Sequence, residues 1–117
     1  MEQEAWPGEW LRGLLPVWAL AVLAIAPAHG YAVTQALTRA GITGLRGGAL
    51  YPVLNRLEQD GLVAATWQEG EGGPGRKVYR LTDAGRAKLD ALAGPWDDFA
   101  ATTAALLRTA ASVPAPR

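Results

Sequence analysis

The sequence contains no cysteine. That excludes disulfide scaffolds, thiolate zinc sites and cysteine nucleophiles, and it fits a cytoplasmic protein. There is one histidine, His29, so no second imidazole is available for a histidine-based metal site. Net charge is also missing: eleven basic residues balance eleven acidic ones, and the sum does not point to nucleic acid. Nor is there a long apolar run. Leu14–Ala28 falls short of the ~18 residues that a membrane span needs, and Pro16 and Pro27 interrupt it. The N-terminus is acidic where a secretion leader would be basic. The run reads as a buried helix, and no membrane partner is expected. No nucleophile stands beside a base, so neither catalysis nor a cofactor is expected.

The 117 residues suit one domain, and half of them are hydrophobic. A chain this small buries a modest fraction of its surface, and pairing with a second copy would add to it. The charge is unevenly spread. Between residues 39 and 88 stand eight cations (Arg39, Arg46, Arg56, Arg76, Lys77, Arg80, Arg86, Lys88) and five acids (Glu58, Asp60, Glu69, Glu71, Asp83), while the flanks are acidic. A local basic field matters more to phosphate binding than the sum does.

Hydrophobic spacing and punctuation give the order helix, helix, helix, strand, strand, helix. Residues 1–9 read as a flexible N-terminus. Pro16 fits the first turn of a helix that Pro27 stops near Ala26. His29-Gly30 reads as a break, and a second helix ends at Gly41. In the third, from Gly48 to Gly61, Leu50, Leu54 and Leu57 form the core stripe, which leaves Tyr51, Asn55, Arg56 and Gln59 off it. "LVAATWQ" and "RKVYRLT" read as strands of a hairpin across the glycine-rich Gly70–Gly75. The last helix starts at Thr82 or Asp83, kinks or breaks at Gly94-Pro95 and runs to about Thr109. Residues 110–117 read as a disordered tail.

Three helices followed by a hairpin make a winged helix-turn-helix: a mainly α fold with a small β-hairpin, spanning residues 10–82, with a C-terminal dimerisation helix over 83–109. A phosphate-binding P-loop is set aside, because Lys77 is followed by Val78 and Tyr79 in strand alternation, not by a serine or threonine that opens a helix. The glycines instead suit a wing whose Arg76 and Lys77 meet the backbone of double-stranded DNA. At the outward end of the third helix, Arg46 can reach guanine, Asn55 adenine and Ala49 a thymine methyl, while the Tyr51 hydroxyl can bond a phosphate. Arg56 adds to this basic face. Leu89, Leu92, Trp96, Phe99, Thr103 and Leu106 recur at alternating spacings of three and four, the seam of a helix packing on helices and the expected homodimer contact. A module that binds an aromatic ligand without DNA is a further alternative, whereas a winged helix that binds protein partners would have a neutral face and an uncharged wing. Arg46, Arg56, Arg76 and Lys77 argue against that.

"GALYPVLNRLEQDGLV", "EGEGGPGRKVYRLTDAG" and "HGYAV" closely resemble the PadR family of bacterial transcriptional regulators, over about Leu11–Leu107. Leu-Tyr-Pro in the third helix and Gly-Pro-x-Arg-Lys-x-Tyr in the wing carry the resemblance together. It implies a dimeric, ligand-responsive repressor on an inverted-repeat operator, of the small form with a single helix after the wing. It also implies that planar aromatic effectors sit at the dimer interface between paired copies of Trp96, with Phe99 beside them. Two departures stand out. Many relatives carry a hydroxyl residue where Arg46 or Ala49 stands, and Pro95 interrupts a helix that relatives usually keep continuous.

Overall fold

The structure, a computed structural model, describes residues 6–46, 48–70 and 73–116. Helices α1 (Gly8–Ile25), α2 (Gly30–Arg39) and α3 (Leu50–Gln59) are followed by β2 (Val63–Gly70), β3 (Gly73–Leu81) and α4 (Asp83–Ala111). A two-residue strand, β1 (Ala28–His29), stands between α1 and α2. This is the expected winged helix-turn-helix, with one strand more. The sheet is antiparallel in the order β1-β3-β2. Ala28 pairs with Tyr79 and His29 with Val78, so the stretch read as a break closes the inner edge of the wing. Two residues are too few to show strand alternation.

Helix α1 begins earlier than expected, and Pro16 lies in its interior. The N–H groups of Trp10 and Leu11 donate to the Pro7 carbonyl. Leu11 and Leu15 are buried and hold the first turns against the domain. Burial on one face thus offsets the hydrogen bond that Pro16 cannot donate. The helix is 18 residues long with a mean hydropathy of 1.4, enough in length and composition to cross a membrane. Here its buried face, Leu11, Leu15, Ala19, Leu20 and Leu23, supplies the core. Val33, Leu37, Leu50, Leu54, Leu57, Val63 and Tyr79 complete it. The expected flexible N-terminus therefore gives way to helix at Gly8; residues 1–5 lie outside the described residues.

Both helix stops predicted at glycine occur, by one mechanism. Gly41 (φ 98°) follows α2 and Gly61 (φ 75°) follows α3. Ile42 N–H donates to the Leu37 carbonyl and Leu62 N–H to the Leu57 carbonyl, both at 2.9 Å. This six-to-one bond closes a helix when the preceding residue is left-handed, a conformation glycine adopts without a Cβ penalty. At the start of α3, Ala49 offers no capping side chain. Pro52 sits in the first turn, where its missing N–H is no loss.

The strands of the wing are longer than the sequence pattern suggests. The ladder runs from Val63↔Leu81 out to Gly70↔Gly73, with an irregularity between Gln68 and Gly70. Gly75 is in the strand, where a Cβ would come within 2.8 Å of the Gln68 carbonyl oxygen. Glu71 and Gly72, at the centre of the expected loop, lie outside the described residues.

Helix α4 is capped by Thr82, whose hydroxyl accepts from Gly85 N–H at 3.1 Å and donates to the Gly61 carbonyl at 2.7 Å. It runs for 29 residues without the expected break at Gly94-Pro95, about 43 Å at the usual rise per residue. Its last turn reaches Ala111, past the expected end at Thr109. Pro95 cannot donate to Ala91, but a helix of this length survives one lost bond.

Candidate nucleic-acid interface

Polar and aromatic side chains converge in a cleft of about 580 Å³ between α3 and the wing. It is lined by His29 and Tyr31 from β1 and the start of α2, Tyr51 and Asn55 from α3, and Trp67, Arg76, Lys77 and Tyr79 from the wing. The alternation that buries Val63 and tucks Ala65 against the core turns Trp67 to the same face, beyond the core's reach. Trp67 is 73% exposed, directly across the ladder from Lys77.

Tyr51 owes its position to a glycine. A Cβ on Gly30 would stand 2.7 Å from the Tyr51 ring, so the ring lies over the bare start of α2. Arg76 is exposed, and one of its guanidinium nitrogens lies 3.2 Å from His29 Nε2. Lys77 differs. Its ammonium donates to Glu58 Oε1 on α3 at 2.9 Å and lies 5.4 Å from the centre of the Tyr79 ring, within cation–π range. The bond to Glu58 raises the Lys77 ammonium above its ordinary value, more than partial burial lowers it. Lys77 therefore ties the wing to α3, while Arg76 makes no ion pair with any described residue.

The structure brings together four of the seven residues expected to meet DNA: Tyr51, Asn55, Arg76 and Lys77. Three are placed elsewhere. Ala49 is half-buried against the core and does not line the cleft. Arg46 is exposed but precedes α3, in the loop after α2. Arg56 pairs with Asp60 at 3.3 Å, one turn on, and borders a separate depression with Val17, Pro52 and Leu92. Glu58, His29, Tyr31 and Trp67 were not foreseen. The β-forming alternation of residues 63–67 was the available signal for Trp67; nothing local marked the other three.

Residues 19–91 match the PadR-like family of transcriptional regulators. The chain belongs to that family. A PadR-family regulator of Eggerthella lenta is 38% identical over 86% of this chain and 88% of that one, with a TM-score of 0.77. A PadR-like regulator of Bacillus cereus is 29% identical over 86% of this chain and 97% of that one, with a TM-score of 0.73. Transcriptional regulator Rv3488 of Mycobacterium tuberculosis is 49% identical over 61 residues, 52% of this chain and 55% of that protein. The matched segment thus spans about half the length of that relative. The family and these neighbours are transcriptional regulators, not enzymes, and DNA is the partner that PadR regulators bind.

The expected dimer seam divides in two. Leu89 packs on the domain's own core, and Leu92 lines a depression with Leu20 and Leu57. Leu89 serves its own domain, and Leu92 is half-buried at the edge of that depression. Past Pro95, Trp96, Phe99, Thr103 and Leu107 face Trp10 and Leu14 of α1 across an apolar groove of about 620 Å³. The rings of Trp96 and Phe99 are 5.9 Å apart. Leu106 is exposed and outside the groove. Among the described residues no three His, Asp or Glu side chains gather closely enough to hold a metal ion.

Proposed function

We propose that the protein is a homodimeric cytoplasmic repressor that places α3 in the major groove of an inverted-repeat operator and the wing on the flanking backbone. The observation that carries this is the cleft in which Tyr51 and Asn55 of α3 face Arg76 of the wing. An α3-borne amide suits a base edge, and an uncommitted guanidinium suits phosphate. Asn55 reads sequence, Tyr51 and Arg76 hold register, and Lys77 holds the wing at its working angle. Arg46, ahead of α3, approaches from the loop.

The open apolar groove between α1 and the far half of α4 supports pairing of two copies. Trp10, Trp96 and Phe99 are each at least 43% exposed in the single chain, a cost that a second α4 would relieve. Such pairing brings two copies of Trp96 near a two-fold axis, where a planar aromatic effector gains offset stacking on indole faces. The test is a gel shift with DNA from upstream of the protein's own gene, at several salt concentrations, with and without planar aromatic cations. Repression predicts a shifted dimer complex that the effector alters. Absence of a shift at low salt would refute the DNA-binding reading, and a monomer on DNA would refute the pairing.

A further inference from the structure

Both ring nitrogens of His29 face hydrogen-bond donors. Nδ1 accepts from Ala32 N–H at 3.2 Å and so caps α2. Nε2 lies 3.2 Å from an Arg76 guanidinium nitrogen. A neutral imidazole has one N–H and one lone pair, and a guanidinium only donates. One of the two contacts is therefore donor against donor. The helix cap decides which. Ala32 N–H is fixed at a part-buried helix start, whereas exposed Arg76 can turn to water. The lone pair stays on Nδ1, and Nε2 carries the proton.

Two N–H groups then converge from the neighbouring strands β1 and β3, with no described acceptor bonded to either of them. The imidazole is held by the pairing of His29 with Val78 and by its cap on α2, so it is preorganised. Convergent donors of this kind seat an anionic oxygen. We infer that His29 and Arg76 together grip one phosphate of the DNA backbone: Arg76 supplies the charge, and His29 acts as a neutral positioning donor. This rests on the DNA-binding reading above and adds a phosphate contact from β1, outside α3 and the hairpin. It separates the two residues experimentally. Loss of a charged contact flattens the salt dependence by about 0.9 per phosphate, whereas loss of a neutral donor weakens binding with the slope intact.

His29 is the only histidine in the chain, so a long-range proton–nitrogen spectrum of the full-length, nitrogen-15-labelled protein reads its tautomer without assignment. The Nε2–H form is expected. Titration with a random-sequence duplex at low salt should shift the Nε2 signal and leave the tautomer unchanged. The Nδ1–H form would overturn the inference, because Nε2 would then accept from Arg76. In parallel, His29→Asn keeps a capping acceptor and removes the distal donor. It should melt like wild type, bind the duplex about tenfold more weakly and keep the wild-type salt slope. Unchanged binding by His29→Asn would reduce the histidine to a cap and overturn the inference alone. Failure of wild type to bind either this duplex or the one upstream of its own gene would overturn the DNA-binding reading and the inference with it.

Discussion

Gly85→Ala and Gly30→Ala add the same methyl group at the starts of two helices, and the structure sets their outcomes apart. By helix propensity alone, each should stabilise by roughly 0.4–1 kcal/mol. At Gly85 a Cβ would collide with the carbonyl oxygen of Leu62 and crowd Leu81. That carbonyl cannot retreat, because Thr82 N–H donates to it at 3.2 Å and Leu62 N–H is itself bound to Leu57. The helix start must lift, which loosens the Thr82 cap and the packing of Leu89 on the core. Overpacking of about 1–3 kcal/mol plus a weakened cap of about 1 kcal/mol exceeds the propensity gain. A net loss of about 1–3.5 kcal/mol is expected, read as a lower midpoint in urea at constant slope. At Gly30 the obstacle is the far end of the Tyr51 side chain. A rotamer shift costs about 0.5–1.5 kcal/mol, so stability should change by less than about 1 kcal/mol. DNA affinity, however, should fall with the displaced Tyr51. In a Tyr51→Ala background Gly30→Ala should have no further effect on DNA binding, as expected when two changes act through one side chain. A Gly85→Ala variant as stable as wild type, or a Gly30→Ala effect on DNA that survives Tyr51→Ala, would refute the reasoning.

Arg76→Ala should weaken binding to every duplex and flatten the salt slope by about 0.9. Lys77→Ala should change the slope less and loosen the wing, seen as faster amide exchange in β2 and β3. The Lys77 ammonium is raised above 10.5 in the fold. Its contribution is therefore fully present below that value and lost as pH rises through the folded one. Glu58→Gln should remove this alkaline loss from the unfolding profile. Phe99→Asp should yield a folded monomer in sedimentation, because Phe99 lies in the groove but outside the core; a dimer at all concentrations would place the partner surface elsewhere. Pro95→Ala restores a donor to Ala91 in an exposed helix interior, and by the cost of proline there it should raise stability by up to about 3 kcal/mol in thermal melts.

Some features were legible because they are local. Leu37 to Ile42 and Leu57 to Leu62 carry the same spacing around a glycine, and backbone sterics alone turn that spacing into a helix stop. Leu50, Leu54 and Leu57 fall on one face by helix geometry. Thr82 lies three residues before Gly85 N–H, the reach of a capping hydroxyl. These fixed the winged-helix order and the place of Tyr51 and Asn55 on α3. Other features were decided only when distant segments met. Ala28-His29 is a strand because β3 offers it an edge, and no two-residue pattern could show that. Pro16 and Pro95 stay inside helices because burial at Leu11 and Leu15, and sheer length in α4, outweigh one lost bond each. Lys77 belongs to Glu58, 19 residues away, while its neighbour Arg76 reaches back 47 residues to His29. The seam on α4 is a single repeat in sequence, yet Leu89 packs on its own domain's core while the stretch past Pro95 is open. Short-range sterics and periodicity act before the chain closes on itself; the pairing of charges, the tolerance of proline and the share of a face left for a partner exist only after it has.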